Sequence, residues 1–265
     1  NSGAMVNAQR QYAIENNMPI IHTGDMCDFV SEANLDAAKR IFIKGEWIVT
    51  AGNHEYSLYV GEAKEDDAYR AQSYDKVQAV YPNNLRFYSK VINGVNFVAI
   101  DNGYYKFSKE QFSLMKKEVK RGLPIIMVCH NPLYSPEFCD YMLERTKGKA
   151  TGLVGVPEKV TSTYINKPRP AGQEWKYTTI QQRADKTTLK FCKWLRKQET
   201  LKGILANCRT VFGASRLSRT VLCRKYQVIY RARLFRYQPC GNKKGCSNLE
   251  HPFLLYYSPC LGGGG

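Results

Sequence analysis

Asp25, Asn53, His54 and His130 each stand at or just past the end of a short apolar run, in "MPIIHTGD", "WIVTAGNHE" and "LPIIMVCHNP". A further run, "VNFVAIDN", reaches its polar end at Asp101. A carboxylate, an amide carbonyl and an imidazole make a mixed oxygen and nitrogen donor set, which suits zinc, manganese or iron. Taken singly, each position has a plainer explanation. A lone histidine at a strand end is more often a satisfied structural residue. Asp25 after Gly24, or Asn53 after Gly52, reads as an ordinary turn. Recurrence at the corresponding ends of separate runs is what argues for a site.

Such a site needs elements that bring the run ends together. Periodicity predicts a helix over 4–17, closed by Asn16 and Asn17, and helical segments near 32–42, 109–120 and 184–197. The apolar runs, with "KGILANC" after the last of these helices, read as strands. Strand alternating with helix predicts an α/β layered fold. Runs that are apolar throughout suit strands covered on both faces. In folds of that kind ligands gather outside the carboxyl ends of the strands, where these polar residues lie.

"GDMCDF" (24–29), "GNHEY" (52–56) and "CHNPLY" (129–134) resemble, in order and spacing, the motifs of the calcineurin-like metallophosphoesterases, in a bacterial-type form. The resemblance extends over roughly residues 10–220, and the Gly-Asn-His-Glu run is its most specific part. It implies an α/β fold of two β-sheets in a sandwich flanked by helices, four layers in all, with the cleft at the strand ends. By position it implies that Asp25 bridges two metal ions and that Asn53 and His130 bind the second. His54 would act near the leaving group, as an acid or a transition-state stabiliser, with Glu55 orienting it. The chemistry is coherent. Paired cations neutralise a phosphoryl group and acidify a bound water, while a histidine protonates the departing alkoxide.

The sequence departs from that pattern twice. The family also carries Asp-x-His on a first strand, and this sequence contains no Asp-x-His, so that strand and its ligands are expected to be missing. Where the family has Gly-His-x-His, "KGILANCRTVFGASRLS" aligns Asn207, Cys208 and Thr210 with the glycine and the histidines. A Cys208 thiolate is a good zinc ligand, although a small buried cysteine at a strand end is equally ordinary. The expectation is one ion at most, zinc, manganese or iron, on Asp25, Asn53, His130 and Cys208, with impaired two-metal hydrolysis.

The chain has 265 residues, 43% of them apolar, enough for one large domain or two small ones. No apolar run approaches the roughly 20 residues of a membrane span, so no membrane partner is expected. Residues 1–5 read as a processed or engineered start. Nine scattered cysteines favour free thiols in a reducing compartment, hence the cytoplasm. The domain reading is a phosphoesterase domain over 1–220 with a lid-like insertion at 135–181, then a basic, cysteine-containing tail over 221–265. Tyr164, Arg169, Trp175 and Lys176 are candidates for substrate contact in that insertion, beside the plainer reading of solvated loop.

The net charge is +16, and from Leu201 onward eleven Lys or Arg face one acid, Glu250. This balance fits phosphate-bearing partners or simply a solvated basic surface. In the tail, "KYQVIYRARLF" alternates like a strand. Cys240, Cys246, His251 and Cys260 match no common zinc module. Basic residues among tyrosines also suit single-stranded nucleic acid. Three functional readings follow. One is a metal-dependent phosphoesterase acting, with impaired activity, on a phosphomonoester or phosphodiester. Another is a non-catalytic phosphoesterase fold that binds a phosphate-bearing ligand or a protein. The last is a basic nucleic-acid-binding protein.

Overall fold

The computed structural model describes residues 2–59, 66–148, 150–164, 183–206, 221–223, 226–229 and 254–256. Strands β1 (Ile20–His22), β2 (Trp47–Val49) and β9 (Leu254–Tyr256) form a parallel three-stranded sheet in the order β2-β1-β9. The second sheet has six strands in the order β3-β4-β5-β6-β8-β7. Its centre is β4 (Val95–Ile100), β5 (Ile125–Cys129), β6 (Leu201–Ala206) and β8 (Tyr226–Ile229), all parallel. Antiparallel β3 (Phe87–Ile92) and β7 (Val221–Cys223) close its two edges.

Helices α1 (Ser2–Glu15) and α2 (Glu32–Phe42) cover the outer face of the smaller sheet. Val6, Ala13, Ala38, Ile41 and Phe42 pack there with Ile20, Trp47 and Val49. Between the sheets, Ile21 and Ile48 meet Phe97, Ala99, Val128 and Leu205. Alternate residues of one strand thus enter different cores, which is why these strands read as unbroken apolar runs. Along the chain follow the short helices α3 (Asp67–Ala71) and α4 (Tyr74–Gln78), then α5 (Lys109–Lys120), α6 (Pro136–Arg145), α7 (Glu158–Thr161) and α8 (Lys186–Leu195). Phe112 and Met115 of α5, with Phe191 and Leu195 of α8, pack on Val98, Ile100, Met127 and Cys129. The result is helix, sheet, sheet and helix, the layered α/β fold expected.

Capping explains why two helices lie where periodicity puts them. The Ser31 hydroxyl accepts from Asn34 N ahead of α2, and Ser108 and Gln111 form a reciprocal capping box at α5. Gln111 also donates to the carbonyls of Arg86 and Asp101, which anchors α5 beside the end of β4.

Two elements lie outside those expectations. Residues 136–145, within the expected lid-like insertion, form α6. Ser135 caps it, Pro136 occupies its first turn, and Phe138, Cys139 and Met142 pack with Leu153 and Val156. Strand β3 was not foreseen. Asn93 and Gly94, at φ 50° and 79°, make the two-residue turn that pairs Ile92 with Val95. Among the described residues no helix is long and apolar enough to cross a membrane.

Candidate functional site

The ends of β1 and β2 meet through one buried carboxylate. Glu55 Oε2 accepts from Asp25 N (2.8 Å) and Gly52 N (2.7 Å), and Oε1 accepts from Met26 N (2.6 Å) and the Tyr81 hydroxyl (3.1 Å). Burial raises the Glu55 pKa and the adjacent Asp25 charge adds to this, against the pull of the amide donors and of His130. The turn it holds is tight. Gly24 has φ 92°, and a Cβ there would run into Gly52 N. Asp25 itself sits at φ 61°, a left-handed conformation that costs an L-residue about 1 kcal/mol. It is paid for here by the Glu55 contacts, and it leaves Asp25 Oδ1 accepting from His54 N at 3.2 Å.

His130 approaches the same carboxylate from the end of β5. Its Nδ1 lies 2.8 Å from the Thr23 carbonyl, which can only accept, so Nδ1 carries the hydrogen. In the neutral ring Nε2 then presents a lone pair, and it faces Asp25 Oδ2 at 3.4 Å. Two acceptors facing each other call for a proton or a cation between them. Donors about 2.1 Å from a tetrahedral ion lie about 3.4 Å apart, so the spacing fits a metal. Gly52 makes the approach possible, since a Cβ there would overlap Asp25 Oδ1 and come within 2.7 Å of the His130 ring.

The backbone of His130 is fixed by Asn102, whose Oδ1 accepts from His130 N (3.0 Å) and Asn131 N (2.8 Å). Asp101, the polar end of the run "VNFVAIDN", pairs with Arg70 at 3.4 Å and accepts from Gly103 N at 2.9 Å. Its carboxylate serves that turn. Gly103 in turn lies against Gly52, and a Cβ on it would meet the Gly52 carbonyl at 2.7 Å.

His54 opens the short 3-10 turn His54–Tyr56 that follows the half-buried Asn53. Its Nδ1 lies 2.8 Å from Asp28 Oδ1 and 3.1 Å from the Asp28 carbonyl. Burial by itself would lower the His54 pKa, but Asp25, Asp28 and Glu55 together raise it, so the ring holds a proton more readily than a free histidine. The carboxylate in contact with the His54 ring is that of Asp28, whereas Glu55 spends its oxygens on the two turns. His22 is buried beneath them, where its Nδ1 accepts from Gly24 N at 3.2 Å. Burial pushes its pKa down to about 3, so it stays neutral.

Cys208 lies outside the described residues, as do Arg169, Trp175, Lys176, Cys240, Cys246, His251 and Cys260. Tyr164 is buried, with its hydroxyl 3.2 Å from that of Thr151. Among the described residues, no group of three or more His, Cys, Asp or Glu is placed to hold a metal ion. Asp25 and His130 are therefore the two converging donors, with Asn53 next in the chain to the turn they share.

Sequence reasoning passed over Asp28, His22, Asn102 and Asn131. Asp28 carried a signal, as the second acid of "GDMCD" one turn beyond Asp25. Asn102 and Asn131 directly follow the strand-end residues Asp101 and His130, which was the only cue available.

The family model described as calcineurin-like phosphoesterase matches residues 3–153, a span that contains Asp25, Asn53, His54 and His130. No curated protein matches the chain.

Proposed function

The chain belongs to the calcineurin-like phosphoesterase family, which generally uses divalent metals, and on that premise we propose that it holds one divalent ion and hydrolyses a phosphomonoester or phosphodiester slowly. The observation that carries this reading is the convergence of Asp25 Oδ2 and His130 Nε2, 3.4 Å apart. Asp25 and His130 would hold the ion and Asn53 would add an amide oxygen, with Cys208, which lies outside the described residues, the fourth donor expected from the sequence alone. Zinc, manganese and iron all suit that set. When bound, the cation supplies charge that offsets the phosphoryl oxygens and acidifies water.

The remaining work falls to side chains of this chain. Asp28 accepts from the Nδ1 edge of His54 and favours the protonated ring, and it is the Nε2–H of that imidazolium that is offered to the leaving oxygen. Asp25 anchors the N–H of His54, so donor and acid are fixed to each other by one hydrogen bond. Slow turnover is expected because Cys208 and Thr210 stand where the resemblance has histidines. The buried cysteines Cys27, Cys129, Cys139 and Cys192, which form no disulfide among the described residues, suit a reducing, cytoplasmic setting.

The test is elemental mass spectrometry of the chain after dialysis against metal-free buffer, followed by turnover of p-nitrophenyl phosphate and its diester. About one ion per chain is expected, with kcat falling at least ~100-fold in His54→Ala. Two ions per chain, or turnover unchanged in His54→Ala, would overturn the proposal. Retention of no metal would favour a non-catalytic, ligand-binding role.

A further inference from the structure

The β4–β5 ladder runs as far as the pair Ala99 and Val128. Past it, side chains take over the pairing. Asn102 Oδ1 accepts from two successive amides, His130 N at 3.0 Å and Asn131 N at 2.8 Å, and Asn102 Nδ2 donates to the Asn131 carbonyl at 2.7 Å. Asn131 reciprocates, its Nδ2 donating to the carbonyls of Asn102 (3.0 Å) and Gly103 (2.9 Å). Asn102 is 0% exposed and Asn131 is 7% exposed, so water does not compete for these bonds.

We infer that Asn102 is a positioning residue for His130, and that it sets the affinity of the Asp25–His130 centre for its ion while touching neither ion nor substrate. The inference rests on the metal reading above. His130 is held at two points from two sheets: its backbone by Asn102 at the end of β4, and its Nδ1 by the Thr23 carbonyl after β1 at 2.8 Å. With both in place, Nε2 reaches the Asp25 carboxylate. Released at the backbone, the ring depends on the Thr23 contact alone, and as that contact loosens the enforcement of the Nδ1–H tautomer weakens with it.

Only a primary amide offers an acceptor for two N–H groups and a donor for a carbonyl in one small plane. An aspartate would keep the former and set an oxygen against the Asn131 carbonyl. Partners that orient a ligand in this manner typically contribute about 10–100-fold to metal affinity.

The experiment compares the full chain with Asn102→Ala and Asn102→Asp. Zinc affinity is read by competition with a chromophoric chelator. The ring tautomer of His130 is read by long-range proton–nitrogen correlation on the metal-free, 15N-histidine-labelled chain, whose four histidines keep the spectrum assignable. The expected result for Asn102→Ala, with far-ultraviolet circular dichroism retained, is zinc binding weakened by about 10–100-fold and a His130 ring that samples both tautomers. A purely structural residue would lower the melting temperature and move neither readout. Asn102→Asp keeps both contacts to amides and should leave His130 in place; if Asn102→Ala does not fold, Asn102→Ser, whose side chain is too short to reach both amides, carries the comparison. A folded Asn102→Ala or Asn102→Ser chain with unchanged affinity and unchanged tautomer overturns the inference alone. A parent chain that binds no zinc overturns the metal reading, and the tautomer then decides whether Asn102 positions His130.

Discussion

The two halves of the candidate site solve one problem with different chemistry. On the smaller sheet, the ends of β1 and β2 are joined by Glu55, a carboxylate that gathers three backbone amides and the Tyr81 hydroxyl. On the larger sheet, the ends of β4 and β5 are joined by Asn102 and Asn131, two amides that exchange donors and acceptors. Both replace a strand ladder that has run out, since buried backbone groups must be paired. The difference lies in charge. Glu55 sits beside Asp25, so this half carries the acidic groups and calls for a cation. The amide half is neutral and acts only on geometry, holding the imidazole at the distance a cation needs.

Deletion of each joint should separate the two. Glu55→Ala leaves three buried N–H groups and a hydroxyl without their acceptor and should cost about 4 kcal/mol in urea unfolding. Asn102→Ala leaves two N–H groups and one carbonyl and should cost about 2–3 kcal/mol. Equal losses would mean that charge adds nothing to the joint. A larger loss for Asn102→Ala would reverse the assignment of which half holds the site together.

The parts of this arrangement readable from sequence are those with a local cause. Helices α2 and α5 have both an apolar stripe and a serine cap, and each begins and ends where the pattern puts it. Asp25, Asn53, His54 and His130 follow apolar runs, so a site at the strand ends could be inferred before any pairing was known. Strand β3 lacked such a run, because an edge strand half open to solvent has no need of one. Its turn, Asn93-Gly94, was a stronger cue than its composition. The joints were not readable. Nothing in the identity of Asn102 marks it as the partner of a histidine 28 residues away. His22 sits in an apolar run and differs from its neighbours only in what its Nδ1 accepts. Contacts of that kind arise from the packing of two sheets, which no short stretch of chain encodes.

Asp28 tests the comparison from the functional side. Its carboxylate meets His54 Nδ1 at 2.8 Å, whereas Glu55 has given its oxygens to the turns. Asp28→Asn should therefore lower kcat about 10-fold, equivalent to about 1.4 kcal/mol, without changing the number of ions bound. Glu55→Gln should act mainly on stability. If Glu55→Gln instead lowered kcat as far as Asp28→Asn with stability intact, the orienting role would pass to Glu55.

The smallest effect is the most selective. Tyr81 donates to Glu55 Oε1 at 3.1 Å, while its ring packs on Phe42 with centroids 4.9 Å apart. Burial, with Glu55 nearby, keeps the Tyr81 pKa well above its ordinary value, so the hydroxyl remains a donor throughout the working range. Tyr81→Phe removes that donor and keeps the ring, and the Met26 amide still satisfies Oε1. The loss should be about 1 kcal/mol in urea unfolding, as for one hydrogen bond among several, with metal content unchanged. A loss approaching that of Glu55→Ala would show that the carboxylate is held chiefly from the helix layer, through Tyr81. The turn amides would then be passengers of Glu55, and the charged joint would belong to the packing of α2 against the sheet instead of to the site.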